Sequence, residues 1–213
     1  MSSVTLTLNA VSKEFSRRSI FRDVSATLRT GESLIIAGRN GSGKSTLVKI
    51  ICGLLTPSKG SISYSFDEKV IDQENVRNHI GLVSPYLQLY DEFTGKENLE
   101  LLSQIRSDRR IDDRRVDEVL KEVGLWERRN DFLRTYSSGM RQRLKYAFAI
   151  IHKPDILILD EPTSNLDADG IAMVKRQVEG QKRGGILIVA TNDAEESTWG
   201  EKRIDLGTAN ASR

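Results

Sequence analysis

Nine consecutive residues, Gly38-Arg39-Asn40-Gly41-Ser42-Gly43-Lys44-Ser45-Thr46, fit the pattern GxxxxGK[ST]. Glycines at those positions let the backbone turn its N–H groups inward around phosphate oxygens. A helix starting at the end of the loop adds the positive end of its dipole. Lys44 supplies a charge for β- and γ-phosphates, and the Ser45 hydroxyl can ligate Mg²⁺. A chance Gly/Ser-rich turn is the bland alternative. Against it stand the apolar run Ser33 to Ala37 leading in and the helix-like Leu47 to Ile51 leading out. Gly38, Asn40, Gly41, Ser42, Gly43, Lys44, Ser45 and Thr46 therefore form a candidate nucleotide site. Further on, Ile156-Leu157-Ile158-Leu159 ends in Asp160-Glu161. Asp160, directly after an apolar strand, can hold a metal through water opposite Ser45. Glu161, one residue later, can face a water aimed at the γ-phosphate. Phosphoryl transfer needs mainly charge neutralisation and an aligned nucleophile, which a lysine, a metal and one carboxylate supply.

These groups need a scaffold that brings strand ends together. Ile156 to Leu159 and Ile186 to Ala190 are short, wholly apolar runs, as expected of central parallel strands covered on both faces. With Ser33 to Ala37 they make three strands alternating with helices, hence a parallel α/β sheet. Ligands gather beyond the carboxyl ends of such strands. There stand the phosphate loop, Asp160-Glu161 and Thr191-Asn192. Residues 4–9 alternate as a half-buried strand, and Ile20 to Leu28 reads as a second. Phe15, between them among polar neighbours, either covers a sheet edge or stacks on a nucleotide base. Gly53 to Gly60 is a break, followed by short β-like runs around Ile62 and Val70. A strand over 79–83 follows, with His79 in a structural role because no second ligand-type residue is spaced to join it.

Thr94-Gly95-Lys96-Glu97 is a capping-box pattern opening a helix with Leu101, Leu102 and Ile105. Val116, Val119, Leu120 and Val123 mark a second helix, with Gly124 as its stop. The charged segment Arg106 to Arg115 between them reads as a solvated connection, with a docking surface for a partner or for anionic lipid as the alternative. Ser137-Ser138-Gly139-Met140 opens a third helix whose face carries Leu144, Ala147, Phe148 and Ile151, and Lys153-Pro154-Asp155 breaks it. Residues 169–182 are helical in composition, and Gly207 to Arg213 are expected to fray.

The chain has 213 residues, enough for one domain with a sizeable core. Its 32 Lys and Arg against 30 Asp and Glu leave +2, which gives no argument for direct nucleic-acid binding. The one cysteine, Cys52, lies in an apolar stretch and reads as a core thiol. No stretch resembles a signal peptide or a membrane span. The expectation is a soluble, cytoplasmic protein that meets a membrane only through a partner.

Four segments together resemble the nucleotide-binding ATPase subunits of ABC transporters over essentially the whole chain. They are the phosphate loop at 38–46, the strand with Asp160-Glu161, the segment Ser164-Asn165-Leu166-Asp167, and Tyr136-Ser137-Ser138-Gly139-Met140-Arg141-Gln142-Arg143. The last is similar to the family signature LSGGQ followed by RQR. The resemblance implies an α/β phosphate-loop NTPase with a parallel-sheet core, N-terminal antiparallel strands and an inserted helical subdomain. It implies one ATPase domain over 1–213, with the helical and signature subdomain at 94–152.

It further implies ATP and Mg²⁺ as cofactors, Phe15 as the base-stacking aromatic, and Asp167 at the nucleotide. Ser137, Ser138 and Gly139 would meet the γ-phosphate of ATP held by a second ATPase subunit, whether an identical copy or a paralogue. A transmembrane permease would be the partner, with the chain peripheral on the cytoplasmic face. Two departures stand out. Pro85 occupies the family's glutamine position, which leaves Gln88 as the metal-side candidate, and Asn192 replaces the switch histidine. An amide still donates a hydrogen bond but carries no positive charge, so hydrolysis is expected to be slow. The short chain suits a minimal subunit and resembles the small ATPases of haem or cytochrome-maturation exporters, with the subfamily open. A soluble family ATPase on an assembly scaffold and a non-hydrolysing nucleotide-gated module are the alternatives.

Overall fold

The computed structural model describes residues 3–72, 75–107 and 111–207. Its centre is a five-stranded, all-parallel sheet in the order β6-β7-β8-β3-β9. These strands are β3 (Ser33–Ala37), β6 (Ile80–Val83), β7 (Ile156–Asp160), β8 (Ile186–Thr191) and β9 (Lys202–Asp205). Every residue of β3, β7 and β8 is buried, as continuous Ile/Leu/Val runs require. Alternate residues divide between two cores. Leu34, Ile36, Ile156, Ile158, Ile186 and Ile188 face α1 (Lys44–Ile51) and a second sheet. Ile35, Leu157, Leu159, Leu187 and Val189 face α4 (Ser138–Ile150) and α5 (Ala168–Lys182).

The second sheet is antiparallel, in the order β2-β1-β4-β5. Its β1 (Val4–Phe15) and β2 (Arg18–Arg29) run longer than the alternating pattern predicts. They meet in a hairpin where Ser16 and Arg17 take φ of 46° and 67°, the sign pattern of a type I′ turn. Phe15 is thus the last residue of β1 at the hairpin tip, 46% exposed, with the Lys13 ammonium 4.8 Å from its ring centre. The runs around Ile62 and Val70 are β4 (Lys59–Phe66) and β5 (Lys69–Ile71).

The helices α2 (Gly95–Ser107) and α3 (Asp113–Glu122) pack on α4. The capping box forms: Thr94 N–H donates to Glu97 Oε2 (2.8 Å), and Glu97 N–H to Thr94 Oγ1 (3.2 Å). Asp112 caps α3 by accepting from Arg114 N–H, while Val116, Val119, Leu120 and Val123 are fully buried. Gly124, at φ 72°, ends the segment.

The two ends of the segment 106–115 differ from the solvated connection read from its charges, while Asp112, Asp113 and Arg114 are exposed. Residues 108–110 lie outside the described residues, but Arg106 donates to the carbonyls of Arg77 and Ile80. Arg115 donates to the carbonyls of Ile150 and Ile151, both at 3.0 Å. The last carbonyls of a helix have no intrahelical partner, and a guanidinium satisfies them well. Expected fraying at 208–213 also falls outside the described residues. His79 does have a structural setting: its Nδ1 is 2.7 Å from Asp155 Oδ2 and its ring stacks at 4.0 Å on Phe66. Among the described residues no helix is long and apolar enough to cross a membrane.

Candidate functional site: a phosphate loop and two carboxylates at the strand ends

The phosphate loop leaves the carboxyl end of β3 and runs into α1. Gly43 carries φ 100°, and a Cβ there would sit 2.5 Å from Ile20 Cγ2, so the tight turn onto the helix needs glycine. Lys44 is 5% exposed and donates from Nζ to the carbonyls of Gly38 (2.8 Å) and Arg39 (3.3 Å), lying back across the loop. The Ser42 hydroxyl is buried without a partner among the described residues. An unpaired buried hydroxyl inside a ring of turned-in backbone suits a phosphate oxygen. Gly41, Gly43, Lys44, Ser45 and Thr46 line a cleft of about 320 Å³ together with Asn40, Ile20, Tyr86 and Glu161.

Two strands bring the carboxylates to it. Asp160, the last residue of β7, is 1% exposed, and neither oxygen has a hydrogen-bond partner among the described residues. Burial raises its pKa; the Ser45 hydroxyl nearby, Lys44 and Lys49 pull the other way, and Glu161 adds to the rise. A buried carboxylate with two idle oxygens beside a serine hydroxyl is a fitting second shell for Mg²⁺. That ion binds through one or two protein groups plus waters and phosphate oxygens. Among the described residues no cluster of three or more His, Cys, Asp or Glu forms a metal cage. Glu161 turns out of the strand at φ 53°, its N–H donating to Ala190 O of β8 (2.9 Å), and its side chain lines the cleft. Asn192, just past β8, is exposed and donates from Nδ2 to Asn40 Oδ1 (3.0 Å), so it touches the phosphate loop directly.

A brace behind these residues has no sequence signal. Glu196 is 4% exposed; it accepts from Thr163 N–H (3.1 Å), from the Thr163 hydroxyl and from the Thr191 hydroxyl. Tyr146 of α4, fully buried, donates to Pro162 O (2.9 Å), and burial first, then the Glu196 charge, raises its pKa. The segment after Glu161 is therefore gripped from two sides. In sequence, Glu196 sits in the polar run Asp193-Ala194-Glu195-Glu196 and looks like one of several solvated acids. Glu196→Ala strands the Thr163 N–H and two hydroxyls. It is expected to cost about 2 kcal/mol, or about 4–8 °C in melting temperature for a chain of this size. A thermal melt within 1 °C of wild type would count against the brace.

The signature residues stand elsewhere. Ser137 caps α4, its hydroxyl accepting from Met140 N–H (3.2 Å). With Ser138 and Gly139 it lines a separate cleft of about 440 Å³, shared with Asp167. Asp167 caps α5 by accepting from Gly170 N–H (2.9 Å) and pairs with Arg143 Nη2 (2.7 Å). Arg143 first, then that N–H, lowers its pKa. Gln88 is exposed, and neither it nor Phe15 is among the residues lining the phosphate-loop cleft, where Tyr86 and Ile20 stand instead.

Comparison with known proteins bears on the same residues. The family model described as ABC transporter matches residues 21–164. An uncharacterized ABC transporter ATP-binding protein of Bacillus subtilis (strain 168), YdbJ, is 35% identical over 194 residues, 90% of this chain and 62% of that protein. The ABC transporter ATP-binding protein NatA of the same organism is 36% identical over 164 residues, 76% and 67% of the two chains. The chain spans 62% and 61% of the length of YdbJ and a second such relative, YhcH. Among solved structures, the ATP-binding cassette MJ0796, dimeric and bound to ADP and Pi, superposes with TM-score 0.82 at 26% identity over 94% of each chain. The cbiO1 protein of Clostridium perfringens, part of the ABC transporter complex cbiONQ, gives 0.76 at 29% identity, covering 94% of this chain and 84% of that one. With the phosphate loop and the Asp160-Glu161 pair both inside the matched span, the chain belongs to the ABC transporter family, as an ATP-binding domain.

Proposed function

We propose that this chain binds MgATP at the phosphate loop and hydrolyses it to power a membrane transporter through ATP-driven closure of two such domains. The observation that carries this is Asp160, buried with both oxygens idle at a strand end beside Ser45 and Lys44, with Glu161 next to it in the cleft. Ser45 and, through water, Asp160 would hold Mg²⁺; Gln88 is exposed and would need the loop to bend differently to join them. When bound, the ion neutralises charge on the β- and γ-phosphates. Lys44 would exchange its two carbonyl partners for phosphate oxygens. Glu161 would accept a proton from the attacking water, and Asn192 would donate an amide N–H toward the γ-phosphate. Phe15, at the hairpin tip, would stack on the base.

Ser137, Ser138, Gly139 and Asp167 line a cleft different from that of the phosphate loop. That separation supports their serving the nucleotide of a second copy or a paralogue. Residues 94–152 would act as a subdomain of one ATPase domain, docked against a permease on the cytoplasmic face. Light scattering on the Glu161→Gln chain tests closure: MgATP is expected to double the monomer mass, and EDTA to reverse it. A monomer at every nucleotide concentration would remove the sandwich from the reading.

A further inference from the structure

Pro85 aligns with the family's glutamine position, and the residue beside it lines the phosphate-loop cleft. Tyr86 lines the cleft with Lys44, Ser45 and Glu161, although it is 63% exposed. Its ring is held in place. The Lys49 ammonium lies 4.3 Å from the ring centre, within the distance at which a cation is attracted to an aromatic face. Lys49 is one turn of α1 after Ser45, hence on the same side of that helix, and its charge also reaches Asp160.

The backbone that carries Tyr86 is fixed as well. Lys145 of α4 donates to the carbonyls of Ser84 (3.2 Å) and Pro85 (3.1 Å), and Tyr86 N–H donates to Ser84 Oγ (3.3 Å). Proline locks φ and removes a donor, so residue 85 sets the direction of the chain but brings no N–H and no polar side chain to the cleft. A phenolic hydroxyl both donates and accepts, as a glutamine amide does with its two ends. Tyr86 therefore combines the missing chemistry with a place in the cleft.

We propose that Tyr86 takes the station of the absent glutamine. Its hydroxyl would hydrogen-bond water shared by Mg²⁺ and the γ-phosphate beside Glu161, while Lys49 and Lys145 position its ring and its backbone. The assignment rests on the MgATP reading above and names a residue for it. Tyr86→Phe keeps the ring and its cation contact and removes only the hydroxyl. It is expected to lower kcat at least about ten-fold while raising KM for ATP no more than about three-fold, because an aligning bond counts most in the transition state. Tyr86→Gln should recover part of the rate, and a phenylalanine variant with wild-type kcat would overturn the proposal.

A second measurement does not depend on turnover. Titration calorimetry of ATP with magnesium and with EDTA gives the affinity gained from the metal. Tyr86→Phe is expected to reduce that gain about three-fold, the size of one neutral hydrogen bond. If wild type itself releases no phosphate, the hydrolysis reading fails by itself. The calorimetry still decides Tyr86, since an unchanged magnesium-dependent gain overturns its role.

Discussion

Glu161→Gln is expected to lower steady-state phosphate release about 100-fold while leaving ATP affinity within about two-fold of wild type. The substitution keeps the size and hydrogen-bonding reach of the side chain and removes only its ability to accept a proton. Its position argues for a role in the chemical step. Glu161 is the first residue past β7, in the cleft that Lys44 and Ser45 line, and its backbone sits at φ 53°. A non-glycine residue in that region costs about 1 kcal/mol or more and persists only where its surroundings fix it. Here Ala190 O takes its N–H, Tyr146 holds Pro162, and Glu196 holds Thr163. A strained residue fixed from three sides at a strand end is a precise way to aim a carboxylate. Two equally inactive proteins would leave a nucleotide-gated switch in place of an ATPase, and equal, active release would remove Glu161 from the chemical step.

The parts of this site that were legible in sequence are those whose residue types are dictated locally. The apolar runs of β3, β7 and β8 announce strands buried on both faces, and the polar residues that end them announce the site. The capping box at Thr94 and the i, i+3, i+4, i+7 pattern of α3 were equally plain. Strand β9 was not. Among the described residues Lys202-Arg203-Ile204-Asp205 is an edge strand pairing only with β3, so its polar side chains can face solvent and no apolar run marks it.

The extension of β1 to Phe15 also escaped, because the hairpin turn uses Ser16 and Arg17 at positive φ in place of the Asn-Gly that usually signals it. Glu196 and Tyr86 were hidden for another reason. Glu196 takes its meaning from a contact with Thr163, 33 residues away, and Tyr86 from sharing a cleft with Glu161, and nothing in their neighbours predicts those meetings. Gln88 was singled out by residue type three places after Pro85, whereas Tyr86 is the residue of this loop that lines the cleft.

Asp160→Asn is expected to move stability and function in opposite directions. Without nucleotide, the carboxylate is 1% exposed with no partner for either oxygen among the described residues. Burial disfavours its ionised form, as the raised pKa records. Near neutral pH an amide of the same shape removes that charge, a gain of about 1–2 kcal/mol, scaled from the cost of burying an unpaired polar group. For a chain of this size it would raise the nucleotide-free melting temperature by about 2–8 °C.

On the proposed function, the same change removes the negative charge that would recruit the metal's water shell opposite Ser45. MgATP should then raise the melting temperature of the variant no further than ATP in EDTA does. Phosphate release should fall about 100-fold, since charge neutralisation at the transferring phosphoryl group is lost. Thermal melts of both proteins in the three solutions measure this directly. A nucleotide-free variant no more stable than wild type would mean that Asp160 has a partner in solution. A magnesium effect surviving in Asp160→Asn would place the ion with other residues. Stability withheld by one idle carboxylate and returned by a bound cation is the thermodynamic mark of a site built for its ligand.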